Sequence, residues 1–499
     1  MMCHMTDDPP TESTPTPKVL VLGASGYVGT HLVPCLAARG LAVRAAARRA
    51  DTLQARGWSG VACVAADALD PASLDRALVG IELAYYLVHS MAAGADFPRI
   101  DRLAAVNFRD ACARAGVRRI VYLGGLKPGG RASAHLASRA ETGDILRAGP
   151  VPVTELRAGV IIGPGSAAFE VIRDLVFHLP AMVTPRWVRS RSQPIALPDV
   201  LEYLVALPSL EATAGAVYDV GGPEVLTYED LMRQFGELVG RRPWILPVPV
   251  LTPRLSSYWL DFVTSVPTNI ARALIQGLEH DVLADDGPIR ALIPRPLQTY
   301  REAARAALES ERQPHGEDLA FGMSSAQWVA GSMVYRQNRA DFAFYAKHMS
   351  GEAVAQAPAD AVWAVVEAIG GENGYYHLDA LWALRGRLDE WTGGTGLTRG
   401  RRHPTELALG DAIDFWRVVA LERGKRLMLL AEMKLPGAAA LGFELQVQNA
   451  STTRIVVTAY FHPAGIRGLA YWHSLAPAHA LIFPGLARQI ASRAEARAR

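Results

Sequence analysis

The chain has 499 residues, half of them apolar, with 51 basic against 49 acidic side chains and a net charge of +2. That length suggests two to four domains, and the near-neutral balance excludes a nucleic-acid-binding footprint. Cys3, Cys35, Cys63 and Cys112 have no metal-ligand spacing, so no metal site is expected, and three of them lie on apolar stretches suited to a reducing cytoplasm.

Residues 1–17 are rich in Pro, Thr, Asp and Ser, lack the layout of a signal peptide and are expected to be disordered. An apolar strand at 18–22 then breaks into Gly23-x-x-Gly26-x-x-Gly29, followed by a helical pattern of Val28, Leu32 and Leu36. A buried strand feeding a glycine turn and a helix is the arrangement that seats a dinucleotide pyrophosphate. Gly23 permits the tight turn, and Gly26 lets the backbone approach the phosphates. Gly29 lets the helix starting there pack closely, its N-terminal amides toward the anion. Ser25, Tyr27 and Val28, within the same turn, join the expected cofactor contacts.

A second strand at 41–47 ends in Arg48 and Arg49. An acidic residue there bonds the ribose hydroxyls, whereas arginine accommodates a 2′-phosphate, so two guanidiniums without a carboxylate favour NADP(H) over NAD(H). A solvated basic turn is the plain alternative. A third strand at 61–66 ends in Asp67, placed to meet the adenine edge. Further strands at 83–88, 120–123 and 153–162 alternate with amphipathic segments such as 102–115. This rhythm implies an α/β, Rossmann-type, doubly wound parallel sheet. It changes at 219–223; a helix at 228–239 and a Pro-, Trp- and Leu-bearing stretch at 243–267 read as a small substrate-covering subdomain beginning near 223.

The glycine motif, Val88-His89, Ala105-Val-Asn107-Phe, the run 116–122, Leu156-Arg157, the run 160–165 and the segment 195–200 together resemble the extended and atypical short-chain dehydrogenase/reductases, above all the NmrA-like branch, over residues 18–309. The resemblance implies NAD(P) binding, with Val88 and His89 beside the cofactor and substrate at the C-terminal edge of the sheet. That family carries a Ser after the fifth strand and a Tyr-x-x-x-Lys pair on the next helix. Here the strand ends Leu123-Gly124-Gly125-Leu126, without a hydroxyl, and the helix reads His135-Leu-Ala-Ser-Arg139. His135 and Arg139 thus fall where Tyr and Lys are expected, on one helix face. Arg139 can hold a ribose but relays no protons. His135 can donate a proton, although the nearby arginine depresses its pKa. A chemically idle His and Arg on a helix surface is the alternative.

Residues 310–324 form a charged, polar linker. Beyond it come a short strand at 353–357, a capped amphipathic helix at 358–370 and alternating strands at 415–421, 426–433, 441–449 and 453–461, which short turns make antiparallel. A helix at 476–496 closes the chain. The uncharged stretch 468–487 contains Pro477, Pro484, His473 and His479, so it reads as buried packing rather than a membrane span, with peripheral membrane contact left open. The segments 381–387, 410–416, 431–437 and Tyr471-Trp472 resemble the uncharacterised DUF2867 family over residues 325–499. That family is similar to the START/polyketide-cyclase (helix-grip, SRPBCC) superfamily, which implies an α+β domain enclosing an apolar cavity. Trp382, Trp416, Tyr471 and Trp472 read as core before ligand contacts, and Asp411, Asp414 and Glu432 as partners for Arg385 or Arg387.

Three functions are compatible with this reading: an NADPH-dependent reductase of a hydrophobic carbonyl or enone, a non-catalytic NADP(H) sensor with an apolar-ligand domain, and a lipid- or quinone-associated protein using the nucleotide domain as scaffold. A small hydrophobic substrate or ligand is expected in the first two. No oligomeric state is legible.

Overall fold

In the computed structural model, residues 18–54, 56–90, 96–130, 132–248, 263–266, 270–271, 274, 276–277, 280–310, 343–391, 396 and 401–499 are described. The expected N-terminal tail, nearly all of the linker, and much of the stretch 243–267 lie outside these residues.

Seven strands form one parallel sheet: β1 (Lys18–Leu22), β2 (Ala42–Ala47), β3 (Ala62–Ala65), β4 (Leu83–Tyr86), β5 (Arg119–Gly125), β6 (Val153–Ala158) and β7 (Val217–Val220), in the order 7-6-5-4-1-2-3. Alternation sorts each strand's side chains between two cores. Val19 and Val21 pack with Leu32 and Leu36 of α1 (Tyr27–Ala38), whereas Leu20 and Leu22 pack with Phe108 of α2 (Phe97–Arg114). Burial of both faces is why these strands read as continuous apolar runs. Helix α3 (Ala134–Arg147) lies beside α2. Ser133 caps it, its Oγ accepting from the Leu136 amide at 3.3 Å.

In this half α1, β6 and β7 differ from expectation. Helix α1 begins at Tyr27, not at Gly29. The strand expected at 153–162 ends at Ala158, and Ile161–Ile162 pairs instead with Ile195–Ala196 in a separate small sheet. β7 was not anticipated, because an edge strand with an exposed Val217 carries no apolar run.

Helix α4 (Ala167–His178) has an unusual buried polar stripe, Glu170, Arg173, Asp174 and His178. Asp174 accepts from the Ser265 amide at 2.8 Å, and His178 Nδ1 bonds Val263 O at 2.8 Å. The apolar residues of α4 pack with α5 (Tyr228–Leu238).

The C-terminal sheet is antiparallel throughout, formed by β8 (Lys347–Ala355), β9 (Ala412–Ile413), β10 (Trp416–Glu422), β11 (Arg426–Ala431), β12 (Gly437–Asn449) and β13 (Thr452–Pro463), in the order 8-13-12-11-10-9. Helices α6 (Ala359–Glu367), α7 (Asp379–Trp391) and α8 (Gly465–Ala498) accompany it. The final helix starts eleven residues before the expected position and runs through Pro477 and Pro484. Each proline removes one helical hydrogen bond; burial of Ile482, Phe483, Leu486 and Ile490 offsets the loss. At Pro484 the missing N–H lets strand β8 come close, for a Cβ on Gly351 would lie 2.2 Å from Pro484 N. Among the described residues no helix is long and apolar enough to cross a membrane.

Of the four aromatics singled out, Trp416 and Trp472 are buried and Trp382 and Tyr471 half-buried; Trp382 stacks on Tyr375 at 4.5 Å between centroids, and Trp472 on Phe461 at 5.8 Å. The three acids do not pair with Arg385 or Arg387. Asp411 bonds Arg402, Glu432 bonds Arg417, and Asp414 accepts from the Tyr375 hydroxyl at 2.8 Å.

Candidate functional site

The glycine turn is tied to the sheet by Gly23 and Ala24 amides that both donate to Ala46 O, at 3.0 and 3.1 Å. Gly23 has φ +89°, and a Cβ there would lie 2.8 Å from the Leu87 carbonyl. A Cβ on Gly29 would lie 2.4 Å from Gly23 O, so helix and turn touch only because the residue is glycine. Ser25 and Gly26 are exposed, and α1 begins directly after them with Gly26 at its N-cap. These residues fit a dinucleotide pyrophosphate.

At the end of β2, Arg48 and Arg49 are both exposed. Asp51, which the sequence reading left out, holds Arg49 through Nη2–Oδ2 (2.6 Å) and Nε–Oδ1 (3.2 Å) bonds. Among the described residues Arg48 makes no ion pair. Asp67 spends one carboxylate oxygen on the Leu69 amide at 2.9 Å, closing its own turn.

Around the end of β4, residues distant in sequence form a chain. Asp101, on α2 and 3% exposed, accepts from His89 Nδ1 at 2.8 Å, from the Ser90 amide at 2.8 Å and from Ser138 Oγ at 3.0 Å. His89 Nε2 lies 2.8 Å from His135 Nδ1. Burial raises the Asp101 pKa, but the bonds from His89 and Ser90 outweigh it and hold the carboxyl below its ordinary value. Burial, then His89 and Arg139, lower His135 to about 3, and burial is also the main depressant of His89. Both rings are therefore neutral at physiological pH. His89 gives its Nδ1 proton to the carboxylate, which leaves Nε2 bare to accept from His135 Nδ1–H. One added proton reverses the His–His bond, so that His135 Nε2 becomes the donor at the outer end.

Arg139 donates to Leu123 O, at the end of β5, and its own carbonyl accepts from the Tyr122 hydroxyl at 2.9 Å. A Cβ on Gly124 would lie 2.8 Å from Glu155 Oε1, and one on Gly143 would lie 2.6 Å from Glu155 Oε2. Glu155 is 1% exposed and is paired with Arg147 and, at 2.8 Å, with Arg157. The two glycines make room for this buried ion cluster.

A cavity of about 1230 Å³ runs from Gly26, His89, Gly125, His135 and Arg139 into an apolar chamber lined by Val171, Leu175, Met182, Val188, Met232 and Leu274, among others. Its volume exceeds that of a usual small-molecule site, which leaves room for part of a dinucleotide and a second molecule. The structure thus brings Gly26, Tyr27, Val28, Gly29, Val88, His89, His135 and Arg139 to one cavity, but leaves Gly23, Ser25, Arg48, Arg49 and Asp67 off its wall. Asp101, Ser138 and Glu155 were missed. Asp101 had a signal, since it shares the buried stripe of α2 with Ala104, Ala105, Phe108 and Cys112.

Residues 23–155 match the NAD(P)H-binding family model, and residues 341–486 match the family described as a protein of unknown function, DUF2867. The chain joins an NAD(P)H-binding domain to a DUF2867 domain. Its NAD(P)H-binding part is similar to the (4-alkanoyl-5-oxo-2,5-dihydrofuran-3-yl)methyl phosphate reductase of Streptomyces griseus, 28% identical over 297 residues, which span 57% of this chain and 95% of that protein. Among solved structures it is similar to an NADPH-dependent quinone oxidoreductase from Escherichia coli, complexed with NADPH (19% identity, TM-score 0.49, 58% of this chain and 99% of that one). It is also similar to a triphenylmethane reductase from Citrobacter sp., complexed with NADP(H) (18% identity, TM-score 0.47, 58% and 99%).

Proposed function

We propose that the protein is an NADPH-dependent reductase of an apolar carbonyl or enone. The observation that carries this reading is the Asp101–His89–His135 chain, whose outer end lies in the wall shared by the glycine turn and the apolar chamber. The glycine turn and the first amides of α1 would hold the pyrophosphate, Arg48 the 2′-phosphate and Arg139 a ribose. When bound, NADPH supplies the hydride. The chamber excludes water and binds the apolar body of the substrate. His135 Nε2–H bonds the carbonyl oxygen, and as that oxygen takes the proton, His89 Nε2–H re-protonates His135 at Nδ1. Asp101 stabilises the positive charge while the relay holds its extra proton. No Ser or Tyr hydroxyl is required. The reductase named among the relatives supports the class of reaction, and the apolar lining supports the class of substrate.

The test is NADPH oxidation, followed at 340 nm, against enones, quinones and saturated ketones of rising hydrophobicity. His135→Ala should lower turnover about 10²–10⁴-fold with NADPH affinity nearly unchanged. Tight NADPH binding with no oxidation across the panel, and an unaffected His135 variant, would move the assignment to an NADP(H) sensor.

A further inference from the structure

The chamber is not built by the NAD(P)H-binding domain alone. Residues 343–347, leading into β8, are anchored in the C-terminal sheet: the Ala343 amide donates to Pro463 O at 2.9 Å, and Ala343 O bonds Nδ1 of the buried His462 at 2.9 Å. From that anchor the segment reaches across to the other domain. The Phe344 ring lies against Gly165, where a Cβ would be 2.5 Å from Cζ. The Tyr345 hydroxyl donates to Gly165 O at 2.7 Å, and its side chain lines the cavity. Lys347 Nζ donates to Thr264 O at 3.0 Å, next to the Ser265 amide that Asp174 of α4 holds. Leu469 of α8 is buried in the same cluster as Ile172, Leu175 and Val176 of α4. Phe344 and Tyr345 therefore fix this segment to the loop before α4, and Lys347 fixes it to the stretch that Asp174 of α4 holds.

We propose that Tyr345, delivered by the DUF2867 domain, is a specificity-determining residue of the substrate chamber and limits the length of the apolar substituent it accepts. The proposal rests on the chamber being the substrate site. Tyr345 lines the wall with Ser166 and Tyr27, and its hydroxyl is spent on the Gly165 carbonyl. A ring so tethered is a fixed wall. The Streptomyces reductase matches this chain over 95% of its own length, within 57% of this one. Too little of it remains to supply a counterpart to residues 341–486, so the wall is particular to the two-domain arrangement.

The test uses the full chain saturated with NADP⁺ and reads binding, without turnover. A series of n-alkyl vinyl ketones of increasing length displaces the fluorophore 1-anilinonaphthalene-8-sulfonate from the chamber. In the native protein affinity should tighten about fourfold per methylene up to a cut-off length and then level off. In Tyr345→Ala the cut-off should move outward by about two or three methylenes, each gaining about the same fourfold. Tyr345→Phe should keep the native cut-off, and NADP⁺ affinity should be equal in all three. An unchanged cut-off in Tyr345→Ala would overturn the proposal. So would a parallel loss of ketone and NADP⁺ affinity, which indicates a merely structural role. If Tyr345→Ala fails to fold, Tyr345→Leu serves, with an outward shift of about one methylene expected and none overturning it. Failure to oxidise NADPH would defeat the reductase reading while leaving this measurement intact.

Discussion

Replacing Asp101 with asparagine tests the relay at its innermost member. The Ser90 amide needs an acceptor, so the asparagine oxygen stays on it and the new NH₂ group faces His89 Nδ1. His89 must then accept at Nδ1 and donate at Nε2, and the carboxylate that stabilised a protonated relay is gone. Two unit charges about 4 Å apart at an effective dielectric constant of about 20 interact by roughly 4 kcal/mol. That is about a thousandfold in the protonated population and, if the relay delivers the proton, about 10²–10³-fold in turnover. The volume is unchanged and Asp101 does not line the cavity, so NADPH affinity should stay within about twofold. Single-turnover stopped-flow at 340 nm reads the reductive step, and fluorescence titration reads the cofactor. Since the His135 pKa lies far below neutral, the native rate should rise as pH falls from 8 to 5.5, with a logarithmic slope near −1. A native rate in Asp101→Asn, or a flat pH profile, would refute the relay.

His135 titrates below its unfolded value, so the unfolded chain takes up the proton first, and stability is full above about pH 6.5 and lost as pH falls below it. At pH 5 this loss amounts to about 2 kcal/mol, and denaturant melts of His135→Gln should be flatter by that amount between pH 7.5 and 5. For the cofactor, Arg48→Ala should weaken NADPH about 10- to 150-fold, from a charge-assisted bond of roughly 1.5–3 kcal/mol, and barely affect NADH; equal losses by isothermal titration would exclude the 2′-phosphate contact. Asp51→Asn releases Arg49 from an exposed pair worth at most about 1 kcal/mol, so NADPH should tighten by no more than about fivefold in the same assay. Gly124→Ser should lower the urea midpoint by the equivalent of about 1–3 kcal/mol, through collision with Glu155, without raising turnover.

The sheet was legible because strands buried on both faces must be apolar along their length, as 18–22 and 83–86 are. The glycine turn was legible because Gly23 and Gly29 each occupy a position where a Cβ meets backbone. The relay was half legible. His135 stood out by its place four residues before Arg139, on the same helix face in a familiar spacing, and His89 only as a neighbour of the cofactor. Their 2.8 Å contact depends on how α3 lies beside the end of β4, which no local pattern encodes. Asp51 carries no signal at the end of β2 itself, since it lies two residues beyond Arg49, in the helix that follows. The C-terminal helix was placed too late because prolines normally end helices, and here tertiary burial overrides them. Tyr345 left no local signal, since its role depends on contact between segments nearly two hundred residues apart.

The buried Glu155 also constrains how this site can change by mutation. A hydroxyl at position 124 is opposed by the carboxylate, so serine cannot be gained there first without loss of stability. Removing Glu155 first leaves the Arg157 guanidinium without its carboxylate and with little solvent, while Arg147 keeps Asp144, and breaking a buried pair in this way typically costs about 3–5 kcal/mol. Both one-step routes descend before they climb. The glycines and the acid form an epistatic lock: a lineage that has acquired Glu155 returns to a hydroxyl-bearing active site only through simultaneous changes on β5, β6 and α3.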